Sequence, residues 1–335
     1  MKRLQENNFE ITAFRPEDAE GIVRLFLSVY GTHYPIHYFY KPQAIIRANK
    51  EGSTYSVVAR SASGDVIGVT HLYKSSPYAA LYEWGAGLVL QEYRNAGVNN
   101  ELAIFLHREF IPGKPHIEEL FGEAVCNHTH LQKALLLYGY VETAIEVALM
   151  PAAAYDKEKS AAGRVATLAG FRCCQPKPHR IYLPAPYERE FRAIYARLDD
   201  RRDIAVSNAD VPGDLMSKVE LSVFDSAQVA RIAVLEVGTD FVERFSGLEK
   251  EAISRNAVVL QASLDLTRPC VGEAVEALRR MGYFFGGALP RRFDGDGILM
   301  QKLLCPPDFE SIRLLADFSK QLLEVIRRDW QRAGA

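Results

Sequence analysis

The segment LYEWGAGLVLQEYRNAGVNNEL, residues 81–102, constrains the fold more strongly than any other part of the sequence. Its apolar first half is typical of a β-strand, and it ends in an Arg-x-x-Gly-x-Asn turn that leads directly into helical sequence. Such a turn directs several backbone N–H groups and the positive end of a helix toward one point, with the Arg94 cation beside them. The segment therefore predicts a strand, a turn and a helix that hold a phosphate, and the pyrophosphate of a nucleotide-like cofactor suits it.

The composition is that of a soluble globular protein with a sizeable core. The chain has 335 residues, of which 48% are hydrophobic and 24% charged, and this length favours two domains. Lys and Arg number 40 against 42 Asp and Glu, which gives a formal net charge of -2. Since no long basic block is present to neutralise a polyphosphate backbone, the sequence argues against nucleic acid as the main partner.

The sequence has no features of a membrane or secreted protein. The first residues, MKRLQENNFEIT, lack the apolar core of a signal peptide, and the longest apolar stretch, at residues 78–90, is too short to cross a bilayer. The five cysteines have neither CxxC spacing nor an even disulfide pattern, which favours a reduced compartment. We therefore expect a cytoplasmic protein without a membrane partner.

Hydrophobic periodicity in residues 9–150 predicts alternating strands and helices. Pro16 can occupy the first turn of a helix that runs to about Tyr30, and the acidic residues Glu17 and Asp18 suit its positive end. The order of elements, β-α-β-β-β-α-β-α-β, mixes hairpins with helical crossovers and predicts a mixed sheet in an α/β or α+β fold. The predicted strands cover residues 9–14, 56–60, 66–73, 81–90, 120–126 and a stretch ending at 149, and the later helices cover residues 97–110 and 130–137.

The rest of the chain predicts a second domain. Residues 258–290 repeat the pattern of residues 122–151, because both show a strand, a polar turn, a helix, a Gly-Tyr pair, a strand and a proline, so a duplicated fold is plausible. An amphipathic helix at residues 311–332 packs on its own domain or, alternatively, forms a dimer contact. The predicted division is a first domain at 1–155, connecting strands and a linker at 156–200, and the second domain at 201–335.

Residues 94–99 and their surroundings resemble the GNAT superfamily of acetyl-CoA-dependent N-acetyltransferases. The similarity covers residues 8–150 and rests on the first strand with its Arg-Pro-Glu-Asp start, the paired strands around Gly64, the Gln/Arg-x-x-Gly-x-Gly/Ala signature, and a helix before a Gly-Tyr pair. Asn99 departs from the usual Gly or Ala at the end of the signature. The resemblance implies that the backbone of Leu88 and Val89 meets the pantetheine arm of acetyl-CoA. It implies a pyrophosphate site formed by Arg94, Asn95, Ala96, Gly97, Val98 and Asn99.

Direct acetyl transfer requires a base for the amine, a donor for the oxyanion and an acid for the leaving thiolate. Members of the family often place a glutamate on the strand before the turn. Here it is Glu83, which shares a side with Val89 only if no bulge intervenes; a solvated or ion-paired Glu83 is the alternative. The resemblance implies the backbone N–H of Val89 as the oxyanion donor. The usual acid, a tyrosine four residues before the Gly-aromatic pair, is replaced by Leu135, and Tyr138 or His130 could substitute for it.

The segment YGTHYPIHYFY, residues 30–40, combines five aromatic residues with two histidines. In the family this region shapes the acceptor pocket. His33, Tyr34, His37 and Tyr38 could hold a cationic or ring-bearing amine through cation–π contacts and hydrogen bonds. A packed core with its hydroxyl groups at the surface is the alternative.

Two polar motifs predict turns and not metal sites. The His128-Thr129-His130 motif lacks a matching Cys, Asp or Glu ligand nearby. The Asp-Gly-Asp-Gly run at residues 294–297 lacks the later ligands and the closing Glu of a calcium loop.

The predicted function is transfer of an acetyl group from acetyl-CoA to an amine of a small molecule or peptide. The alternative is a regulatory protein that binds acyl-CoA as a signal and transfers no acyl group, which the missing acid at Leu135 favours. A transferase that takes aminoacyl groups from tRNA is a third option, and the charge balance argues against it. Because no turn like residues 94–99 occurs in residues 203–264, we expect a second domain that has lost cofactor binding and covers the acceptor site, braces the first domain or mediates a homodimer.

Overall fold

The computed structural model describes residues 9–32, 34, 36–151, 163–198 and 200–334. They form two compact units, and the division falls between Leu120 and Phe121, with Ser76–Tyr78 also part of the second unit. The domain boundaries expected near residues 155 and 200 stay predictions. Residues 152–162, at the first of these boundaries, lie outside the described residues.

The chain alternates strands and helices, which confirms the predicted mixed α/β class. No helix within the described ranges is long and apolar enough to span a membrane. The helices are α1 (Ala19–Tyr30), α2 (Pro42–Glu51), α3 (Val98–Phe105), α4 (His130–Leu137), α5 (Glu188–Tyr195), α6 (Phe241–Ser254), α7 (Val271–Arg280) and α8 (Asp317–Ala333). The strands are β1 (Phe9–Ala13), β2 (Thr54–Ser61), β3 (Val66–Tyr73), β4 (Leu81–Val89), β5 (Glu119–Val125), β6 (Val141–Pro151), β7 (Arg164–Cys173), β8 (His179–Leu183), β9 (Arg202–Val206), β10 (Lys218–Phe224), β11 (Val229–Glu236), β12 (Val259–Asp265), β13 (Phe284–Phe293) and β14 (Gly295–Leu303).

The first unit contains an antiparallel sheet with helices on both faces. Its strands lie in the order β1-β2-β3-β4. Successive residues of a strand point to opposite faces, so Val69 and Gly68 of β3 mark the two sides. On the Val69 side, α1 and α2 bury a core that includes Phe26 and Ile45. On the Gly68 side, α3 packs so closely that a Cβ added to Gly68 would lie 2.8 Å from a methyl group of Val98.

A buried ion pair joins the start of α1 to β2. Asp18 accepts a hydrogen bond from the backbone N–H of Arg15 at 2.7 Å, which closes the short 3-10 turn at Pro16–Asp18. Asp18 also accepts two hydrogen bonds from the guanidinium of Arg60, at 2.7 and 2.5 Å. Both side chains are less than one-tenth exposed. The Arg-Pro-Glu-Asp motif therefore fixes where the first helix begins on the sheet.

The second unit contains a larger, mixed sheet. Its strands lie in the order β5-β7-β6-β13-β14-β12-β11-β10, and β8 and β9 form a separate parallel pair. Neighbours such as β6 and β7 or β13 and β14 are antiparallel, whereas β11 and β12 are parallel and are connected through α6. The core of this unit draws on both the sheet and the helices α5 to α8.

The Asp-Gly-Asp-Gly motif begins in the turn between β13 and β14, which consists of Asp294, and continues into β14. Asp296, the second residue of β14, is fully buried and binds His179 Nε2 at 3.1 Å and Arg202 Nε at 2.5 Å. Burial disfavours the charged carboxylate, but the hydrogen bond with His179 and the charge of Arg202 outweigh it, so the pKa of Asp296 lies below its usual value. The carboxylate therefore connects β8 and β9 to the start of β14.

Two helix ends in the second unit repeat each other at a spacing of 143 residues. The chain leaves α4 through the left-handed Gly139, with φ of 78°, and leaves α7 through the left-handed Gly282, with φ of 87°. In both places the N–H of the tyrosine after the glycine donates to the carbonyl of the leucine five residues before it, at 2.9 Å. This is the usual hydrogen bonding of a helix that ends in glycine.

The strands after these helices, β6 and β13, repeat at the same spacing. Each has a residue with positive φ, Ala148 at 55° and Arg291 at 51°, where its pairing with the neighbouring strand shifts. Ala144 of β6 pairs with Gly287 of β13, again 143 positions apart. The strand, helix and strand predicted twice, at residues 122–151 and 258–290, are therefore both present.

The last helix, predicted from residue 311, begins only at Asp317. The N–H of Arg313 donates to the Cys126 carbonyl at 2.7 Å, and the N–H of Leu315 donates to the Gln132 side chain at 2.9 Å. Because these two N–H groups have acceptors elsewhere in the unit, they are satisfied without helical hydrogen bonds. The helix expected at residues 97–110 likewise ends at Phe105 and continues as a π turn.

Candidate functional site

Strand β4 contains a bulge near its middle. Leu88 pairs with Val69 of β3, and Gly85 pairs with His71, so β4 has one residue more than β3 over this stretch. One residue of the intervening stretch, Ala86, has a left-handed backbone with φ of 50°. A bulge changes which side chains share a face beyond it.

The bulge places Glu83 on the same face as Leu88 and not on the face of Val89. The expectation that Glu83 and Val89 share a side depended on an unbroken strand, and the register of β3 and β4 does not meet this condition. Leu88 belongs to the core under α1 and α2. Glu83 therefore lies on the side of the sheet that these helices cover.

The backbone of Val89 points away from β3. The N–H of Leu90 donates to the carbonyl of Ile67 at 2.9 Å. In an antiparallel ladder the next pair, Val89 and Gly68, is then of the non-hydrogen-bonded kind, with its N–H and C=O directed outward. This is the orientation that a backbone ligand for a pantetheine arm or an oxyanion needs.

The turn after β4 ends in an exposed helix N-terminus. Gly97 is left-handed, with φ of 78° and ψ of 3°, and a Cβ added to it would meet no atom within 4 Å. No side chain caps the helix. Among the residues that the structure describes, none accepts a hydrogen bond from the backbone N–H of Gly97, Val98 or Asn99. These groups and the helix dipole form an uncovered site for an anion.

The side chains of the turn divide between core and solvent. Val98 is fully buried against Gly68 and holds the helix on the sheet, whereas Arg94, Asn95, Ala96 and Asn99 are exposed. The Asn99 side chain reaches back over the bulge, with Oδ1 4.0 Å from the position of a Cβ on Gly87. Asn99 therefore fills space beside the strand that a Gly or Ala would leave open.

The carboxylate of Glu83 accepts hydrogen bonds from two hydroxyl groups. Tyr73 donates to Oε1, and Ser75 donates to Oε2 at 2.7 Å. Gly85 makes room for this contact, because a Cβ on Gly85 would lie 2.8 Å from the Tyr73 hydroxyl and 3.3 Å from Glu83 Oε1. Both oxygen atoms of this half-buried carboxylate thus act as acceptors.

Part of the aromatic segment at residues 30–40 is packed core. Phe39 is fully buried and stacks on Phe26, with ring centroids 4.6 Å apart. Tyr34 contacts Phe26 at 5.0 Å, and its backbone N–H donates to the Tyr40 hydroxyl at 2.9 Å. Phe39 therefore belongs to a packed core, which was the alternative to an acceptor pocket, and Tyr34 packs against this core.

Tyr38, in the same segment, lies close enough to Glu83 to respond to its charge. Its hydroxyl forms a hydrogen bond with Thr54 Oγ1 at 2.8 Å. Burial raises the pKa of Tyr38 to about 12, and the negative charge of Glu83 contributes in the same direction. His37 is exposed, and His33 lies outside the described residues. The structure thus brings Tyr38, but not His37, into the protein near Glu83.

His71 is a fully buried histidine on the Glu83 face that the sequence did not suggest. Its Nδ1 lies 2.8 Å from Ser56 Oγ, which already accepts a hydrogen bond from Asn49 at 3.1 Å. Either Ser56 Oγ or His71 Nδ1 can be the donor of this bond, because the hydroxyl oxygen keeps a second lone pair beside the one that Asn49 uses. No described residue provides a partner for Nε2. Burial lowers the pKa of His71 to about 3, so the ring is neutral near neutral pH.

The predicted proton donor, Tyr138, belongs to the second unit. It follows α4 and is half-buried, while Leu135, at the position where the GNAT resemblance leads us to expect a tyrosine, is 1% exposed. His130 begins α4, and its ring lies 5.0 Å from that of His128. The role of Tyr138 stays a prediction.

The bulge and the hydroxyl pair at Glu83 were not predicted. The run Gly85-Ala86-Gly87 is the signal for the bulge, because glycines inside an apolar strand often mark one. No spacing in the sequence indicates the contact of Tyr73 with Glu83, since it depends on the register of two strands.

The second unit has its own strand, turn and helix at β11 and α6, but this turn is filled. The N–H of Gly238 donates to Ser217 Oγ at 2.9 Å, and the N–H of Thr239 donates to the Leu215 carbonyl at 3.0 Å. A Cβ added to Gly238 would lie 2.3 Å from the Leu215 carbonyl oxygen. The turn before α6 is therefore packed against Leu215 and Ser217, which accept the hydrogen bonds of its Gly238 and Thr239 N–H groups.

A cleft of about 700 Å³ opens beside this filled turn, between the starts of α6 and α7. Its charged lining residues are Asp210, Glu273, Glu276 and Arg280. Three carboxylates against one guanidinium oppose the binding of a pyrophosphate.

Neither the protein-family models nor the curated proteins contain a match to this chain. Solved acetyltransferase structures match about half of it. A ribosomal-protein-S5-alanine acetyltransferase from Vibrio fischeri is 12% identical over 51% of this chain and 95% of that chain, with a TM-score of 0.39. An N-acetyltransferase from Staphylococcus aureus is 14% identical over 50% of this chain and 99% of that chain, with a TM-score of 0.40. A structure described as an acetyltransferase of the GNAT family, from Desulfovibrio desulfuricans, is 12% identical over 49% and 98% of the two chains, with a TM-score of 0.37.

The predicted resemblance to GNAT acetyltransferases is thus found among solved structures over about half of the chain. At these identities and TM-scores the matches are a likeness only, and the geometry around β4 and α3 is the basis for a function.

Proposed function

We propose that the first unit binds acetyl-CoA and transfers its acetyl group to an amine of a small molecule or peptide. The observation that carries this proposal is the combination of a bulged strand, an uncapped helix N-terminus and a carboxylate on one short stretch of chain. Glu83 and Gly97 are the ends of this stretch. A pyrophosphate and a reacting amine need these two kinds of group.

The turn at residues 94–99 suits the pyrophosphate of coenzyme A. The backbone N–H groups of Gly97, Val98 and Asn99 are available as donors, and the Arg94 side chain adds a positive charge to the exposed turn. Gly97 leaves its surroundings open, so a phosphate can approach the backbone. Asn95 and Ala96 complete the turn, and their side chains are exposed.

The backbone of β4 suits the pantetheine arm. Val89 directs its N–H and C=O away from β3, and Leu88, on the other face, anchors the strand in the core. Amide groups of an extended ligand can pair with such a strand in the way that another strand does.

Glu83 is the proposed base. When bound, acetyl-CoA supplies a thioester whose carbonyl carbon accepts the amine nitrogen. Glu83 takes a proton from the amine, directly or through water, and the Val89 N–H donates a hydrogen bond to the developing oxyanion. Tyr138 is the proposed proton donor for the leaving thiolate on the strength of the sequence alone.

The acceptor is proposed to bind beside the aromatic segment. Tyr38 and Tyr34 supply ring faces that can attract a cationic amine. His37 and His33 are the further candidates from the sequence. The acceptor amine is proposed to donate a hydrogen bond to the Glu83 carboxylate.

Calorimetric titration with acetyl-CoA tests the binding site. The variant Gly97→Trp fills the open space at the turn and is expected to abolish measurable binding. Gly64→Trp is a matched control, because Gly64 is also left-handed, with φ of 88°, and has no atom within 4 Å of an added Cβ. Gly64 lies in the β2–β3 hairpin, so this variant should bind as the native protein does. No binding to the native protein would overturn the proposal.

Release of free thiol in the presence of amines, amino acids and aminoglycosides tests the transfer. Glu83→Gln is expected to lower turnover without weakening acetyl-CoA binding. Binding without thiol release for any acceptor would favour the alternative, a regulatory protein that senses acyl-CoA.

We also propose that the second half of the chain is a degenerate copy of the first. The 143-residue spacing in β6, β13 and the helices before them supports duplication. The filled turn at Gly238 and the acidic cleft beside it support loss of cofactor binding. A dimer contact through α8 remains the alternative role for that helix. Binding of one acetyl-CoA per chain, and none in Gly97→Trp, is the expected stoichiometry.

A further inference from the structure

The Glu83 carboxylate is held on both of its oxygen atoms. Tyr73 lies directly opposite Glu83 in the pairing of β3 and β4, and its hydroxyl donates to Oε1. Ser75 follows two residues later, just beyond the end of β3, and donates to Oε2 at 2.7 Å. A carboxylate bound in this way has a fixed orientation.

Packing fixes the tyrosine ring that makes one of these contacts. Tyr73 is 6% exposed, and Phe39 meets its ring edge-on with centroids 6.3 Å apart. The absence of a side chain at Gly85 leaves the space in which the hydroxyl and the carboxylate meet. The core of the unit therefore fixes the position of the Tyr73 hydroxyl, which does not move as the end of an exposed side chain would.

We propose that Tyr73 and Ser75 are positioning residues that keep Glu83 ionised and directed as the base of acetyl transfer. The inference rests on the function proposed above for Glu83. In the transfer, the amine N–H bond breaks as an O–H bond forms on Glu83, and a bond forms between the nitrogen and the carbonyl carbon. The C–S bond of the thioester then breaks, and the sulfur leaves as a thiolate that takes up a proton. Tyr73 and Ser75 keep their own protons throughout and act only through Glu83.

Two titratable groups near Glu83 have pKa values far from the neutral range, which simplifies a measurement of Glu83 ionisation. Tyr73 and His71 face it from β3, and Tyr38 faces it from the short 3-10 helix at His37–Tyr40. The pKa of Tyr38 is raised to about 12 by burial and that of His71 lowered to about 3 by burial, so both are neutral between those values. Titration of Tyr38 and His71 therefore lies outside the pH range of the acid limb, and the carboxyl band of Glu83 identifies the group that titrates within it.

The pH dependence of kcat/KM in Tyr73→Phe and Ser75→Ala is the first test. A hydrogen bond to the charged form favours ionisation, so removal of either donor should move the acid limb to higher pH by about one unit. Ser75→Thr retains a hydroxyl and should restore the native profile. Tyr82→Phe is the matched control, because the Tyr82 hydroxyl donates to the Gly52 carbonyl instead. Its acid limb should not move.

A spectroscopic titration gives a readout that needs no turnover. The infrared difference between the native protein and Glu83→Gln isolates the carboxyl band of Glu83, and its titration should shift upward in Tyr73→Phe. Gly85→Ala keeps the hydroxyl but displaces it, and should shift the titration in the same direction.

The outcomes separate the two proposals. Thiol release with an unchanged acid limb and an unchanged carboxyl titration in both donor variants would overturn the positioning role. If the carboxyl titration shifts but the protein releases no thiol with any amine, the proposed transferase function is wrong. The effect of Tyr73 and Ser75 on the Glu83 carboxylate would still be established. A shift in both readouts is the expected result.

Discussion

Ala144 and Gly287, 143 positions apart in the chain, pair with each other across β6 and β13. The same spacing separates the left-handed glycines that end α4 and α7. Residues at this spacing are equivalent positions of the two repeats. When equivalent positions pair across antiparallel strands, the two strands are related by a local two-fold axis. The contact is close, because a Cβ added to Gly287 would lie 2.3 Å from the Thr143 carbonyl oxygen and 2.4 Å from the Ala144 Cα.

We predict that Gly287→Ala destabilises the second unit strongly. Gly287 has φ of 132°, which alanine rarely adopts, and the clash is with backbone that cannot rotate away. The expected loss in the free energy of unfolding is about 3 kcal/mol or more, measured by urea denaturation. Gly213→Ala is the control, because Gly213 has open space around it. Equal stability of the two variants would contradict the close approach of β6 and β13.

The ion pair of Asp18 and Arg60 predicts a second stability effect. Asp18→Ala leaves a buried guanidinium without its carboxylate, since both side chains are less than one-tenth exposed. Loss of one partner of a buried pair costs about 3 kcal/mol, so the first unit should unfold at lower urea concentration. The double variant Asp18→Leu with Arg60→Met removes both charges and should recover most of this loss. A double variant as unstable as Asp18→Ala would contradict the account.

Several elements of the first unit were predicted because their signals are local, although α2 was not. The run of apolar and β-branched residues in β3 and the Pro-Glu-Asp start before α1 extend over a few positions, and these elements lie where the sequence predicted them. The contacts that matter for chemistry are of another kind. The bulge at Ala86 and the bond between Tyr73 and Glu83 depend on how two strands align.

The errors in the prediction have the same origin. The periodic pattern from residue 311 is amphipathic, yet Gln132, far away in sequence, binds the backbone of Leu315 and keeps that stretch out of the helix. The packing of Leu215 against Gly238 was not predicted either, because it is a tertiary contact that no short motif indicates. Tertiary contacts determine where the last helix begins and how the turn before α6 packs. The periodicity of a single sequence contains no information about such contacts.

Charge at the exposed turn predicts how acetyl-CoA binding responds to salt. Arg94→Ala removes a cation beside the proposed pyrophosphate site and should weaken acetyl-CoA binding about tenfold at low ionic strength. The difference from the native protein should shrink as salt screens the charges. Titration calorimetry at two salt concentrations measures both effects. Arg24→Ala, which removes an exposed arginine of α1, should leave the affinity unchanged.

His71 predicts a specific pH dependence of stability. Its pKa is lowered by burial from the ordinary value of 6.5 to about 3 in the folded protein. Between these values the unfolded chain binds a proton that the folded protein excludes, so stability is complete above the unfolded pKa and is lost as the pH falls toward the folded one. The contribution of His71 to the free energy of unfolding should fall by about 1.4 kcal/mol per pH unit in this window.

Urea denaturation between about pH 4.5 and about pH 7.5 measures this slope. His71→Gln has no group that titrates there and keeps an acceptor for the Ser56 hydroxyl, so its stability should depend less steeply on pH than that of the native protein. His37→Gln, which replaces an exposed histidine, is the control and should retain the native slope. If His71→Gln loses stability on acidification as steeply as His37→Gln, then His71 is protonated in the folded protein, and the inference that its buried ring is neutral is wrong.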